Sequence, residues 1–305
     1  MSIPFAYLGI ILIWSTTPLA IQWSTEGTSF ALAVFARMLI GALVAAAVIV
    51  AWRIRFPLHD RARRAYLVGG LGLFLAMALT YWSARYIHSG LISVLFGLSP
   101  LAAGILAALF LGERSLTRLK LFGMLLGALG LATIFIHGDS LGHEHAVRGL
   151  VALLVAVFIY SGSLVWLKHI GDDSPPLATT VGTLSVSLPF FGLVWYLTDG
   201  RLPEMVPPRA GAAIAYLGVF GSVIGFALYY YVIKHLETSK VALITLITPV
   251  IALLLGHWLN GESIGLRLWF GTGLILLGLS VHEWGMLAGL LRPARGEPRK
   301  PEVAG

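Results

Sequence analysis

Apolar residues along the chain are gathered into ten long runs that are separated by short polar connections. Each run has roughly 20 residues, the length that an α-helix needs to cross the hydrocarbon core of a bilayer. The runs cover residues 3–23, 29–52, 66–86, 91–111, 119–137, 148–168, 177–197, 211–234, 241–259 and 267–287. The longest connections, residues 53–65 and 198–210, leave no room for a soluble domain. The pattern therefore predicts an all-α membrane protein with ten transmembrane helices.

The second half of this pattern repeats the first. Residues 99–113 begin with Ser-Pro and end in Gly-Glu, and residues 248–262, 149 positions later, begin with Thr-Pro and end in Gly-Glu. Five crossings per half is an odd number, so the two halves must enter the membrane from opposite sides. We expect two inverted five-helix repeats, an arrangement typical of transporters, at residues 1–147 and 148–291. A basic, proline-rich tail at 292–305 is expected to be disordered.

Composition agrees with a bilayer as the solvent of this chain. Hydrophobic residues make up 58% and charged residues 11%, whereas a soluble domain carries about 25% charged residues. The sequence contains no cysteine, which excludes disulfides and thiolate metal ligands. We expect neither a metal nor a cofactor.

Lysine and arginine are distributed unevenly between the two sides of the predicted membrane. If the N-terminus is inside, fifteen of the 21 basic residues fall on the inner side and five on the outer side. Cytoplasmic loops are enriched in these residues, so we expect both termini in the cytoplasm and a multi-pass protein of the cell (inner) membrane. The net charge of +7 is thereby explained by topology, and no nucleic-acid partner is expected.

The motifs, in their order along the chain, resemble those of the EamA-type permeases of the drug/metabolite transporter superfamily. In the first half they are LIWSTTPLAI, FARML, LTYWSARYIHSGLISVLFGLSPLAAGILAALFLGER and GMLLGALGL. In the second half they are LYYYVIKHLETSKVALITLITPVIALLLGHWLNGE and GTGLILLGL. The resemblance implies ten helices, cytoplasmic termini and transport, often outward, of amino acids and other small metabolites. Only Arg37 is a basic residue deep within a run, which argues against polyanionic cargo.

Prolines within the runs suggest where the helices depart from regular geometry. Pro100 and Pro249 lie near the middle of the fourth and ninth runs, and Pro18 lies in the first. A proline removes one N–H group and leaves a carbonyl group four residues earlier without its usual partner. We expect these three residues to be hinges or kinks that face a central cavity. Kinks that only serve packing are the alternative.

Polar and aromatic residues within the runs are the candidates for a substrate site. Arg37 could bind a substrate carboxylate or could fasten helices together, and Tyr81 and Tyr230 are equivalent positions in the two halves. The full set of candidate substrate-binding residues is Trp14, Ser15, Arg37, Tyr81, Ser99, Tyr160, Ser163, Trp166, Tyr230, Thr245 and Thr248. Aromatic rings of this kind suit neutral or aromatic amino acids.

The two Gly-Glu pairs are interpreted as structural. Glycine is expected to end each helix, and Glu113 and Glu262 are expected at the N-terminus of the following helix, where the macrodipole favours an acid. All fourteen acidic residues lie in connections or near the ends of runs, so facilitated diffusion or exchange is favoured over proton coupling.

A transporter of small metabolites is thus the predicted function, with a small-molecule substrate and the lipid bilayer as partners, as a monomer or homodimer. A polytopic membrane enzyme and a channel-like facilitator are the alternatives. An enzyme would need a set such as H-E-x-x-H or paired carboxylates within the membrane. The sequence contains neither, so no catalytic residues are assigned.

The predicted topology can be tested by tagging each end of the chain. A reporter that is active only in the cytoplasm should be active at both termini, because the basic residues hold the inner loops in place. Reporters that place the two ends on different sides of the membrane would contradict five crossings per half.

Overall fold

The computed structural model describes residues 2–112, 117–135, 145–236, 238–263 and 265–284, and this part of the chain is helical throughout its regular elements. The helices are α1 (Ile3–Ser24), α2 (Phe30–Ala51), α3 (Asp60–Ser83), α4 (Ser89–Phe96), α5 (Ser99–Leu111), α6 (Arg118–Phe135), α7 (Ala146–Ile170), α8 (Pro176–Thr198), α9 (Pro208–Tyr216), α10 (Gly225–His235), α11 (Thr238–Asn260) and α12 (Leu266–His282), with a π-helical segment at Leu217–Ile224. Within the described residues, eight helical stretches are long and apolar enough to cross a membrane. Each predicted run overlaps helical residues, and the count of ten crossings stays a prediction. The predicted tail, residues 292–305, lies outside the described residues.

Helix α3 begins earlier than the hydropathy pattern predicts. The apolar run starts at residue 66, but the helix starts at Asp60. The His59 side chain accepts a hydrogen bond from the Ala62 N–H at 3.2 Å and so caps the helix. The first turn carries charged residues that face water, and hydropathy alone cannot distinguish such a turn from a loop.

The fourth run is broken into two helices where one kinked helix was expected. Helix α4 ends at Phe96, Gly97 and Leu98 form a turn, and Pro100 is the second residue of α5. In the first turn of a helix proline loses nothing by lacking an N–H. Pro100 therefore lies at the start of α5, while Gly97 and Leu98 keep right-handed helical angles through the interruption. A hinge or kink at this position stays a prediction.

The ninth run keeps its proline inside one continuous helix. Pro249 lies within α11, and its ring is 3.7 Å from the point where Gly97 would carry a Cβ. The proline of one half thus faces the helix break of the other half. Pro18 is likewise inside a continuous helix, α1, and is buried.

Helices α6 and α12 cross at two pairs of glycines. A Cβ at Gly123 would lie 2.5 Å from the Gly278 carbonyl oxygen, and a Cβ at Gly130 would lie 2.6 Å from that of Gly271. The beginning of α6 therefore meets the end of α12, and the two helices are antiparallel. The sequence repeat shifts by one position after the Gly-Glu pairs, so that Gly123 corresponds to Gly271 and Gly130 to Gly278. Segments that match in sequence thus run in opposite directions.

The other principal contacts also occur in related pairs. The contact of α1 with α11 corresponds to that of α7 with α5. The contact of α3 with α7 corresponds to that of α1 with α9 and α10. The contact of α3 with α8 corresponds to that of α2 with the π-helical segment. Each pair is what exchanging the two halves of the chain would produce. Helix α4 packs on α11, whereas α5, beyond the break, packs chiefly on α7.

The glycines of the two Gly-Glu pairs end their helices as expected. Gly112 and Gly261 both have a φ of 63°, in the left-handed region that favours glycine, directly after α5 and α11. The prediction for these glycines is confirmed. Glu113 lies outside the described residues.

The crossing of α6 and α12 yields a matched pair of substitutions. Gly130→Ala should lower the free energy of unfolding by about 1–3 kcal/mol, because the new methyl group would contact the α12 backbone and force the helices apart. Gly273 is also on α12, but a Cβ at this position would have no other atom within 4 Å. Gly273→Ala should therefore leave the free energy of unfolding unchanged or raise it by about 0.5–1 kcal/mol through helix propensity. Thermal unfolding of the detergent-solubilised protein measures both. Equal stability of the two variants would contradict the close approach at Gly130.

Candidate functional site

Arg37 is the buried cation around which the site is built. It lies in the second turn of α2, a helix whose N-terminus is capped by Ser29 through a bond from the Leu32 N–H. The residue is 6% exposed. Its Nε donates to Ser222 Oγ at 3.3 Å, and its Nη1 donates to Tyr81 Oη at 3.4 Å. The guanidinium group therefore connects α2 with α3 and with the π-helical segment.

These contacts do not neutralise the charge of Arg37. Both hydrogen bonds are longer than the usual range of about 2.7–3.2 Å, and a guanidinium group has five N–H donors to satisfy. Among the described residues no carboxylate lies within ion-pair distance of Arg37; the ion pairs found there join His59 to Asp172, Arg209 to Glu26 and His282 to Glu283. Among the described residues, the guanidinium group of Arg37 is thus buried in an apolar protein without a carboxylate partner.

The π-helical segment makes the space that Arg37 occupies. A Cβ at Gly221 would lie 3.3 Å from Arg37 Nη2, and a Cβ at Gly218 would lie 3.2 Å from the Arg37 carbonyl oxygen. Ser222 Oγ accepts from Arg37 and donates to the Leu217 carbonyl oxygen five residues earlier at 3.0 Å. Wide turns of this kind are frequent at functional sites. Neither this segment nor Ser222 was predicted from the sequence, in which the spacing of Gly218 and Gly221 was the available signal.

Residues of α1 border the same region. Thr17 Oγ1 and Trp14 Nε1 lie 3.8 Å and 3.6 Å from the points where Gly221 and Gly225 would carry a Cβ. The Trp14 ring packs on Tyr229 with 4.9 Å between ring centroids. The Ser15 hydroxyl group is buried without a hydrogen-bond partner. Of the predicted residues, Arg37 and Tyr81 are thus brought together by α2 and α3, and Trp14 of α1 lies beside Gly225 and Tyr229. Ser15 is buried on α1, and Pro18 lies one turn after Trp14.

A second group of predicted residues surrounds the break between α4 and α5. The Ser99 carbonyl oxygen accepts from Ser161 Oγ of α7 at 3.2 Å, while the Ser99 hydroxyl group is buried without a partner. The Tyr160 ring lies edge-on to Phe96, with 5.9 Å between centroids. The break therefore exposes polar backbone and hydroxyl groups to the interior, which is tolerated at membrane depth only within protein or beside a cavity.

The predicted residues of α10 and α11 are placed less fully. Thr248 is buried and Thr245 is partly buried, both on α11 beside Pro249. Tyr230 lies on α10, but its side chain is outside the described part of the structure. These three assignments stay predictions.

Two predicted residues of α7 lie apart from Arg37. Ser163 packs directly against Gly72 of α3, at a helix contact, and its hydroxyl group donates to the Tyr160 carbonyl oxygen at 2.8 Å. Trp166 is 47% exposed, and its ring neighbours His169 on the same helix. The contacts described for these two side chains include neither Arg37 nor its partners Ser222 and Tyr81.

Glu262 lies at a different helix terminus from the expected one. Its carboxylate Oε1 accepts from the Ser89 N–H at 3.1 Å, at the first residue of α4, instead of capping the following helix α12. The residue is 6% exposed. The expectation was wrong because it considered only neighbours in sequence, whereas the fold brings the N-terminus of a helix from the other half within reach. Within the described residues no group of three or more histidine or acidic side chains could hold a metal ion.

The chain is similar to known membrane transporters along most of its length. The sequence model of the EamA-like transporter family matches twice, at residues 1–136 and 147–282. An uncharacterized transporter of Archaeoglobus fulgidus is 26% identical, with 89% of this chain and 95% of that protein covered. A probable terminal-alkyne amino-acid exporter of Streptantibioticus cattleyicolor is 25% identical, with 82% and 83% covered. One solved crystal structure shares the fold with a TM-score of 0.64 at 21% identity, covering 94% of this chain and 99% of that one.

These matches agree with the apolar helices and with the buried polar site. The names of the family and of the relatives indicate a transporter rather than an enzyme. The chain belongs to the EamA-like transporter family and is a multi-pass membrane transporter.

Proposed function

We propose that this protein transports small metabolites that carry a carboxylate, in particular neutral or aromatic amino acids, outward across the inner membrane. Arg37 is the observation that carries the proposal. Placing a charge in the membrane costs several kcal/mol, and no acidic side chain in the described residues offsets the charge of this one. A substrate carboxylate supplies the missing negative charge and can accept two parallel hydrogen bonds from a guanidinium group.

The surroundings of Arg37 favour a substrate with an apolar body. Trp14, Tyr229 and Tyr81 provide ring surfaces together with polar groups, and aromatic side chains of this type suit neutral and aromatic amino acids. A single buried cation favours one carboxylate over a phosphate cluster. The relative named as a probable terminal-alkyne amino-acid exporter supports an amino-acid substrate.

Two inverted five-helix repeats provide a physical route for alternating access. The antiparallel crossing of α6 and α12, the paired helix contacts and the two matches of the family model support this architecture. The break at Gly97 and Leu98 allows α5 to change its direction relative to α4. The site lies within one chain, so a monomer suffices, with both termini in the cytoplasm and facilitated diffusion or exchange as the mode of transport.

Replacement of Arg37 tests the carboxylate contact. The native protein should bind L-phenylalanine at least about tenfold more tightly than L-phenylalaninamide, because a charge-assisted hydrogen bond is lost with the amide. Arg37→Gln should reduce this preference to within about twofold. Binding to the purified protein, measured across a panel of neutral and aromatic amino acids and their amides, gives both numbers.

Arg85→Gln is the matched control for Arg37. Arg85 is exposed and lies over the rings of Phe30, Trp82 and Tyr86, so its replacement should leave the preference for the carboxylate unchanged. A preference that survives in Arg37→Gln would contradict the proposed role of Arg37.

Pro100 tests whether the break in the fourth run serves transport. Alanine restores an N–H group at position 100 and allows α4 and α5 to join into one helix. We expect Pro100→Ala to lower the maximal transport rate in proteoliposomes severalfold while the substrate KM changes little. Pro189→Ala, at the proline within α8, is the matched control. Wild-type rates in Pro100→Ala would favour a role in packing alone.

A further inference from the structure

Five residues of α1, α4 and α11 form a polar cluster at one end of the helix bundle. Gln22 and Trp23 lie at the end of α1, Ser89 begins α4, Asn260 ends α11, and Glu262 follows two residues later. We call these residues the Glu262 cluster. The carboxylate within it is buried, and the transport site built around Arg37 does not use it.

Asn260 connects the cluster across three elements. Its Nδ2 donates to Gln22 Oε1 at 3.0 Å and to Glu262 Oε1 at 3.0 Å, and its Oδ1 accepts from Trp23 Nε1 at 3.1 Å. Gln22 Nε2 in turn donates to the Ile87 carbonyl oxygen at 2.8 Å, in the segment that leads into α4. One amide side chain thus links the end of α1 to the end of α11.

Glu262 connects α11 to the beginning of α4. Its Oε1 accepts from the Ser89 N–H, and the free N–H groups of a helix N-terminus attract a carboxylate. Close to this contact a Cβ at Gly90 would lie 2.6 Å from the Leu253 Cα, so α4 and α11 approach to backbone contact. Gly256 lies against the Glu262 carboxylate and leaves space for it.

The cluster lies at only one end of the bundle. Helix α4 follows α11 from the cluster to Pro249, but beyond the break at Gly97 the chain continues as α5, which packs chiefly on α7. If both termini are cytoplasmic, α1 and α11 end, and α4 begins, on the outer side. The hydrogen bonds of the cluster therefore join α1, α4 and α11 on that side.

We propose that the Glu262 cluster is the outer gate of the transporter. This inference rests on the alternating access proposed above. A substrate leaving on the outer side requires α1, α4 and α11 to separate there. Hydrogen bonds suit this role because water replaces them when the helices part.

The absence of native cysteines allows a direct test of the gate. Ser93 lies one turn after Ser89, on the side of α4 that also presents Gly97 to Pro249. Ser93→Cys therefore places a thiol behind the cluster with little change in volume. In whole cells, a membrane-impermeant thiol reagent should label this cysteine slowly in the native background.

Asn260→Ala should make labelling from outside about tenfold faster, the change expected when roughly one net hydrogen bond no longer favours the closed state. Trp23→Phe, which removes the indole N–H donor and makes the aromatic ring smaller, should accelerate labelling by a smaller factor and serves if Asn260→Ala does not fold. The matched control is Thr25→Val, since the Thr25 hydroxyl group donates to the Gln22 carbonyl oxygen at 2.8 Å within one connection and joins no two helices.

Unchanged labelling in Asn260→Ala and Trp23→Phe would overturn the gate, as would equal acceleration in Thr25→Val. Acceleration seen only in inside-out vesicles would overturn its assignment to the outer side. The labelling needs no substrate, so it is independent of the Arg37 experiment. Faster labelling together with an unchanged carboxylate preference in Arg37→Gln would refute the carboxylate site and leave the gate intact.

Discussion

In a membrane, backbone polar groups and charges must find their partners within the protein, and the rest of this structure depends on that constraint. Irregular parts of the helices include the break before Ser99, the prolines within α1, α8 and α11, and the π-helical segment beside Arg37. The break presents the Ser99 carbonyl and hydroxyl groups to the protein interior. The π-helical segment leaves space for the Arg37 guanidinium group, for which the lipid could provide no partner.

The two halves of the chain are alike in packing but differ in charge. Gly72 and its counterpart 149 residues later, Gly221, both receive a side chain from another helix. The side chain is Ser163 in one case and Arg37 in the other. The position 149 residues after Arg37 is Val186, which packs against Gly70. The repeat therefore supplies the scaffold, and the departure from it at Arg37 places a buried cation where the other half has a valine.

Much of the fold could be predicted from the sequence, because hydropathy and glycine spacing are local signals. The apolar runs, the helix-ending glycines and the depth of Arg37 are such signals. The sequence could not show that Pro100 begins a new helix while Pro249 stays inside one, since both occur in similar motifs. It also could not show that Glu262 reaches Ser89, 173 positions away, because that contact depends on how the halves pack. The amide groups of Gln22 and Asn260, at the ends of apolar runs, were the available signal for the Glu262 cluster.

The central claim is that the buried guanidinium group of Arg37 binds the carboxylate of the substrate. A structure determined with a bound neutral or aromatic amino acid tests it most directly. The account predicts a carboxylate oxygen of the substrate within about 3 Å of an Arg37 nitrogen, the distance of a charge-assisted hydrogen bond, with aromatic rings around the apolar body. An amino acid bound elsewhere in the protein, with Arg37 still held only by Ser222 and Tyr81, would contradict it.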